Sequence, residues 1–401
     1  MEKVYIVSAK RSAIGAFGGS LKNVNCGQLG AQVIKSALES GNIQPQWVDE
    51  VIFGNVISAA QGMGVARQAA IYAGIPNTVP AYSVNMVCGS GMKSVMDAVS
   101  HIQSSQADLV VAGGVEVMSQ IPFAMPSHLR DGQKMGAVSC EDLLIHDGLT
   151  DVFNQYHMGV TAENIAEKYK ISRNEQDEYA LNSQNKALAA IERGHFDNEI
   201  APIEVKTRRD THIFDQDEYP KANSDLEKLA RLRPAFIKEG TVTAGNASGL
   251  NDGASVTILA SASAVEKYQL TPMAEIVSVA QAGVDPSVMG LGPVPASALA
   301  LQRAGLSLKD INLLELNEAF AAQALGVVKG LSLEHGESES DILKRTNCNG
   351  GAIALGHPLG ASGNRILVTL LYQLKNKELD YGLASLCVGG GMGTAVIVKT
   401  C

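Results

Sequence analysis

The sequence predicts an α/β fold with an internally duplicated plan, and three observations carry that prediction. Short apolar runs of strand type alternate with segments of helical periodicity, the second half of the chain repeats the strand-then-helix order of the first, and a polar, irregular stretch lies between them. In "MEKVYIVSAKRSAIGAFGG" the four-residue apolar run reads as a first strand. It is too short for a signal-peptide core, and Glu2 suits a transit peptide poorly. "CGQLGAQVIKSALESGNI" puts Leu29, Val33, Ile34, Ala37 and Leu38 on one helical face and stops near Gly41. "DEVIFGNV" and "ADLVVAGG" read as buried strands ended by glycine or turn residues.

In "SVNMVCGSGMKSVMDAV", Cys88 falls where a strand ends and a helix begins, the helix showing an apolar face of Met92, Val95, Met96, Val99 and Ile102. A helix N-terminus favours a thiolate over a thiol, and Gly89, Ser90 and Gly91 leave room for a substrate to approach. A lone cysteine is ordinarily a small buried hydrophobe, so the rest of the chain has to decide between the two readings.

Residues 120–249 differ in character. "SRNEQDEYALNSQNKALAAIERG" opens with a capping box, Ser172 and Glu175, and ends at Gly194, which predicts one helix. Around it lie polar segments such as "TRRDTHIFDQDEYPKANSDLEK", and so long an insertion reads as a loop domain covering a substrate. In the second half "INLLELNEAF" repeats the strand-then-helix plan, and "YGLASLCVGGGMGTAVIV" sets Cys387 after an apolar run. Cys88 and Cys387 share a glycine-rich downstream context ending in methionine, which reads as a pair of corresponding positions in a duplication.

Composition narrows the function classes. The 401 residues carry a formal net charge of −9, which argues against a nucleic-acid surface. Six scattered cysteines (Cys26, Cys88, Cys140, Cys348, Cys387, Cys401) show no zinc spacing, so reduced thiols and no structural metal are expected. No stretch approaches membrane-span length and "VIVKTC" is no peroxisomal signal, so a cytoplasmic protein is expected.

"NCNGGAIALGHPLGASG" holds His357 in a glycine-flanked turn before a helix faced by Ile366, Leu367, Leu370, Leu371 and Leu374. Core packing explains such a histidine poorly, although a structural bond to a loop carbonyl would serve. Asn317, at a strand end before Glu318, reads by default as a helix cap. Together Cys88, Asn317, His357 and Cys387 lie at strand ends, where open α/β sheets gather their sites. They supply a nucleophile, a polar donor, a base and a second acid/base.

"VNMVCGSGMKSV", "NEAF", "NGGAIALGHPLGASG" and "LCVGGGMGTA" match four signatures in the order used by one family. The chain resembles the thiolase family over essentially its whole length, and is most similar to the biosynthetic branch that handles acetoacetyl-CoA. The resemblance implies a duplicated αβαβα five-layer core with an inserted loop domain. Residues 1–119 completed by 250–270 would form the first half, 120–249 the loop domain over the CoA site, and 271–401 the second half.

It implies acetyl-CoA C-acetyltransferase activity, with Cys88 as the acyl-accepting nucleophile, His357 activating it, and Cys387 as the acid/base that deprotonates a second acetyl-CoA. The enolate oxygen would meet His357 and a water positioned by Asn317, and the tetrahedral intermediate the N–H groups of Cys88 and Gly389. For the CoA arm it implies Ser248, Ala244, Phe236 and Phe320, with Lys221 after "DEYP" where related enzymes often carry arginine. Lysine keeps the charge and loses the planar fork. His157 and Met158, in "DVFNQYHMGV", would enclose a small acyl group; read on residues alone they are a helix start near Thr161 and a core filler. CoA thioesters would be substrates, no metal or redox cofactor would be required, and the family's habit is a homodimer or homotetramer. The rival implications are a broad-chain degradative 3-ketoacyl-CoA thiolase and a non-catalytic acyl-CoA or lipid-binding protein of the same fold.

Overall fold

A single hydrogen-bonded path of strands organises the protein, a computed structural model describing residues 2–207 and 210–401. Arg208 and Arg209 of the polar middle segment lie outside the described residues. The first half contributes β1 (Val4–Ser12), β2 (Glu50–Gly54), β3 (Ala81–Val84), β4 (Leu109–Val117) and β5 (Asn251–Ser261). The second contributes β6 (Ala274–Gly283), β7 (Leu313–Leu316), β8 (Tyr381–Val388) and β9 (Met392–Thr400). Their order is β7-β8-β9-β6-β1-β5-β4-β2-β3.

Counted outward from the β1/β6 junction, both halves place first, fifth, fourth, second and third strand in the same sequence. The third position of the second half is a parallel bridge between Leu314 and Thr346. The pairings repeat as well: β1–β5 and β5–β4 are antiparallel and β4–β2 parallel, as β6–β9 and β9–β8 are antiparallel and β8–β7 parallel. Among the described residues the strands of the two halves pair through two residue pairs, Tyr5 with Glu275 and Ile6 with Ala274, next to register shifts in both strands. Such bulges bend the path and fold one half over the other.

The duplication is real, but it does not pair Cys88 with Cys387. Cys88 precedes a helix, whereas Cys387 ends β8 and leads into a hairpin whose turn uses Gly390 and Gly391 at φ 85° and 88°. The position matching Cys88, between third strand and central helix, is occupied by His357.

Helices α1 (Cys26–Ser40), α2 (Val65–Tyr72), α3 (Ser90–Gln103), α4 (Met158–Tyr169), α5 (Arg173–Glu192), α6 (Pro293–Ala304), α7 (Ala321–His335) and α8 (Leu359–Lys377) build the layers. Strand alternation sorts side chains between them: Leu109 and Val111 face α1 and α2, while Val110 and Ala112 face the middle. There Met92, Val95 and Val99 of α3 pack with Ile366, Leu367 and Leu370 of α8 and with strands of both halves. Leu314, Leu383 and Ile397 meet α6 and α7 on the far side. The result is helix, sheet, helix, sheet, helix. From Leu359 to Leu374 every residue of α8 is buried, as a helix enclosed on all sides must be.

The stretch from 120 to 249 covers one end of this core. Its helix α5 begins at the Ser172–Glu175 capping box and stops at Glu192, two residues before the glycine that marked its end in the sequence. Ala201, Ile203, Val205 and Phe214 from the same stretch join the outer core of the first half. Among the described residues no helix is long and apolar enough to cross a membrane.

Candidate active site

Two helix N-termini meet where the site forms. The start of α3 follows Cys88 and the start of α8 follows His357, and small residues allow the two to touch. A Cβ on Gly91 would stand 2.7 Å from the carbonyl oxygen of Gly360, so glycine is required at this crossing. The Glu116 carboxylate accepts N–H bonds from Val56, Ile57 and Gly360, fastening the start of α8 to the loop after β2. Burial pushes Glu116 up to about 7.

The backbone beside Cys88 is strained. Val87 adopts φ 46°, a left-handed value costly for a β-branched residue, and this turn aims the next side chain into a cavity of about 510 Å³. Cys88, His357, Cys387 and Gly389 all line that cavity. So do Ser248, His157, Met158, Phe236, Ala244 and Phe320.

Two predicted residues lie elsewhere. Asn317 stands behind His357, its Nδ2 3.5 Å from the imidazole Nε2 and its buried Oδ1 without a protein partner. It caps no helix: α7 starts at Ala321, with Phe320 at the cap position. Lys221 lines an adjoining cavity of about 450 Å³ that shares Ala244 with the first. Its ammonium lies 5.0 Å from the centre of the Tyr219 ring, which faces the main cavity. A larger depression of about 850 Å³, near Lys375 and Thr400, lies beside the C-terminal end of α8 and holds none of these residues.

Hydrogen bonding fixes the tautomer of His357. The Ser362 hydroxyl has one proton and spends it on the Pro358 carbonyl at 2.8 Å. Its 2.6 Å contact with His357 Nδ1 therefore has the imidazole as donor, leaving Nε2 as the acceptor, with Asn317 Nδ2 at 3.5 Å as a long-range donor to it. Asn251 Oδ1 accepts the His357 backbone N–H at 3.0 Å and holds the loop. Removing the hydroxyl in Ser362→Ala should lower kcat about tenfold, with KM nearly unchanged, in steady-state assays of the reaction proposed below.

Burial sets the charge states. It brings His357 down to about 3, helped by the Arg365 guanidinium, and raises Cys88 to about 11. The N–H groups of Gly389 and Cys88 favour the thiolate, yet desolvation outweighs them. The helix N-terminus favours the thiolate as expected, but burial prevails, and the cysteine and histidine stand as a neutral pair. Burial also pushes the Cys387 thiol up, and the neighbouring Cys88 adds to that shift.

His157 combines two roles that the sequence presented as alternatives. Its Nδ1 caps α4 by accepting the Gly159 N–H at 3.0 Å, so its neutral form, favoured by burial, carries the proton on Nε2. The ring stacks on Phe236 at 4.5 Å. Met158 is both core and cavity wall. Ser362, Asn251, Glu116 and the wall residue Met289 escaped the sequence reading. Ser362 alone had a signal, in its placement within "GHPLGASG".

Comparison with known proteins places this geometry. Residues 4–263 match the family model described as thiolase, N-terminal domain, and 270–400 the one described as thiolase, C-terminal domain. An acetyl-CoA acetyltransferase of Cupriavidus necator is 53% identical over 400 residues, covering 100% of both chains. The crystal structure of the Bacillus anthracis acetyl-CoA acetyltransferase matches with TM-score 0.95 and 46% identity, covering 100% of this chain and 99% of the other. Human mitochondrial 3-ketoacyl-CoA thiolase in complex with CoA matches with TM-score 0.93 and 45% identity, covering 100% and 98%.

Proposed function

The chain belongs to the thiolase family, and from that premise we propose that it is an acetyl-CoA C-acetyltransferase, joining two acetyl-CoA into acetoacetyl-CoA and CoA and running the reverse. The observation that carries the reading is the convergence of Cys88, His357, Cys387 and Gly389 on one cavity.

In the first half-reaction Cys88 Sγ attacks the acetyl carbonyl while its proton passes to His357 Nε2. CoA leaves and takes that proton, and acetyl-Cys88 remains. Because the resting pair is neutral, charge develops only as the bond forms, opposite the N–H groups of Cys88 and Gly389. In the second half-reaction the Cys387 thiol passes its proton to His357 Nε2, and the resulting thiolate removes a proton from the methyl carbon of a second acetyl-CoA. The carbanion attacks acetyl-Cys88, and the Cys88 thiolate leaves and takes back the proton held by His357, while Cys387 is again a thiol. The enolate oxygen lies against His357 Nε2, which donates when it carries a proton, and against a water held by Asn317, whose Oδ1 is otherwise unpartnered. Exchange between thioesters is nearly isoenergetic and involves no net redox change, so the chemistry draws on neither a metal nor a redox cofactor.

The CoA arm runs past Ser248, Phe236 and Phe320, and reaches at Ala244 the adjoining cavity beside Lys221, where the nucleotide end is placed. A cavity of about 510 Å³ must hold the pantetheine end as well as the acyl group, and Met158 and Met289 stand in its wall. That favours a short acyl chain. Unpaired cysteines throughout suit a reducing, cytoplasmic setting. Exposed Phe123, Met125, Ile145 and Phe153, together with Tyr82 on the outermost strand β3, suit a homo-oligomer, a dimer or tetramer.

The test is CoA-dependent cleavage of acetoacetyl-CoA beside a longer 3-ketoacyl-CoA. Preference for the four-carbon substrate is expected. Equal or faster cleavage of the longer one would move the protein to the degradative thiolases, and CoA binding without acylation of Cys88 would make it a non-catalytic member.

A further inference from the structure

Resting on that reading, we propose that Gln184 and Ser183 of α5 are positioning residues that couple occupancy of the nucleotide-side cavity to the placement of His357 and Asn317. Binding energy from the non-reacting end of CoA is thereby realised at the reacting end.

The coupling runs through one residue. Ile353 lies in the segment that leads into His357, and its two backbone groups are held from opposite sides. Its carbonyl accepts from Gln184 Nε2 at 3.2 Å, and its N–H donates to the Glu318 carboxylate at 3.2 Å. Glu318 directly follows Asn317 and is fully buried. Its carboxylate also accepts from Ser183 Oγ at 2.7 Å, from Tyr179 at 3.1 Å and from Asn347 at 2.9 Å. Ser183 Oγ in turn accepts the Gly351 N–H at 3.0 Å. Two adjacent residues of α5 thus grip both the loop carrying Asn317 and the loop carrying His357.

The same helix forms the wall of the second cavity, where Ala180, Gln184, Lys221 and Ile353 meet. Gln184 Oε1 accepts the Lys221 N–H at 2.9 Å, so the side chain bridges the nucleotide-side loop and the catalytic loop. There is little slack between them. Gly350, at φ 79°, lies so close that a Cβ would stand 2.6 Å from the Ser183 carbonyl oxygen. A close-packed contact of this kind transmits a displacement rather than absorbing it.

The experiment compares thiolysis of acetoacetyl-CoA by CoA with thiolysis of acetoacetyl-pantetheine by pantetheine, which lacks the nucleotide. Gln184→Met keeps the volume and loses both hydrogen bonds. It should lower kcat for the CoA pair about tenfold while kcat for the pantetheine pair stays within about twofold and KM for CoA does not rise. Ser183→Ala should move the same ratio in the same direction and serves if the first variant does not fold. Equal losses with both substrate pairs, or a change confined to KM, would overturn the coupling while leaving the acetyltransferase reading intact. Failure of the unsubstituted protein to cleave either thioester would overturn both.

Discussion

Cys88→Ala should abolish acetoacetyl-CoA cleavage, with kcat falling on the order of 10⁴-fold or more, while the fold and CoA binding persist. Alanine leaves the acyl group no sulfur to receive it, and nothing else in the cavity substitutes: the Cys387 thiol is buried and pushed further from ionisation by its neighbour. Position 88 is half-buried and opens on the cavity, so the truncation costs little packing. The check is twofold. Steady-state thiolysis should vanish, and an acetyl adduct on the Cys88 peptide, found by mass spectrometry after acetyl-CoA treatment of the unsubstituted protein, should be absent in the variant. Retained turnover would remove Cys88 from the mechanism.

Cys387→Ala should separate the two half-reactions. Loss of the group that takes the α-proton should lower condensation about 10³-fold to 10⁴-fold, because a thioester α-carbon is a weak acid. Acetylation of Cys88 depends on His357 and the N–H groups of Cys88 and Gly389, so it should survive as a burst of CoA release without acetoacetyl-CoA formation. Stopped-flow detection of released thiol, read beside product formation, distinguishes the cases. Equal loss of burst and turnover would place Cys387 in the acylation step.

Local chemistry made much of this legible in the sequence. The Ser172–Glu175 box, the halt of α1 at Gly41 and the apolar face after Cys88 each follow from neighbours within a few residues, and all three reappear in the structure. The correspondence between Cys88 and His357 was hidden because it is topological: the residues differ, the flanking loops differ, and only strand order reveals them as equivalent. A shared glycine-rich string drew Cys387 into that place instead, although in one case the glycines precede a helix and in the other they make a hairpin. The resting charge of Cys88 was not legible because a helix terminus is visible in sequence and the depth of burial is not. Ser362 and Asn251 were missed since one acts by ordering a hydroxyl proton and the other reaches His357 across a sequence separation of 106.

Because Cys88 and His357 occupy matching places in the two halves, the site that joins them forms late in the life of each chain. A polypeptide emerging from the ribosome carries Cys88 long before His357 exists, and the first half cannot finish its sheet until β5 has been made. Only when the second half closes over α3 does α8 bring its histidine alongside, so the site is complete only once the whole core has been assembled.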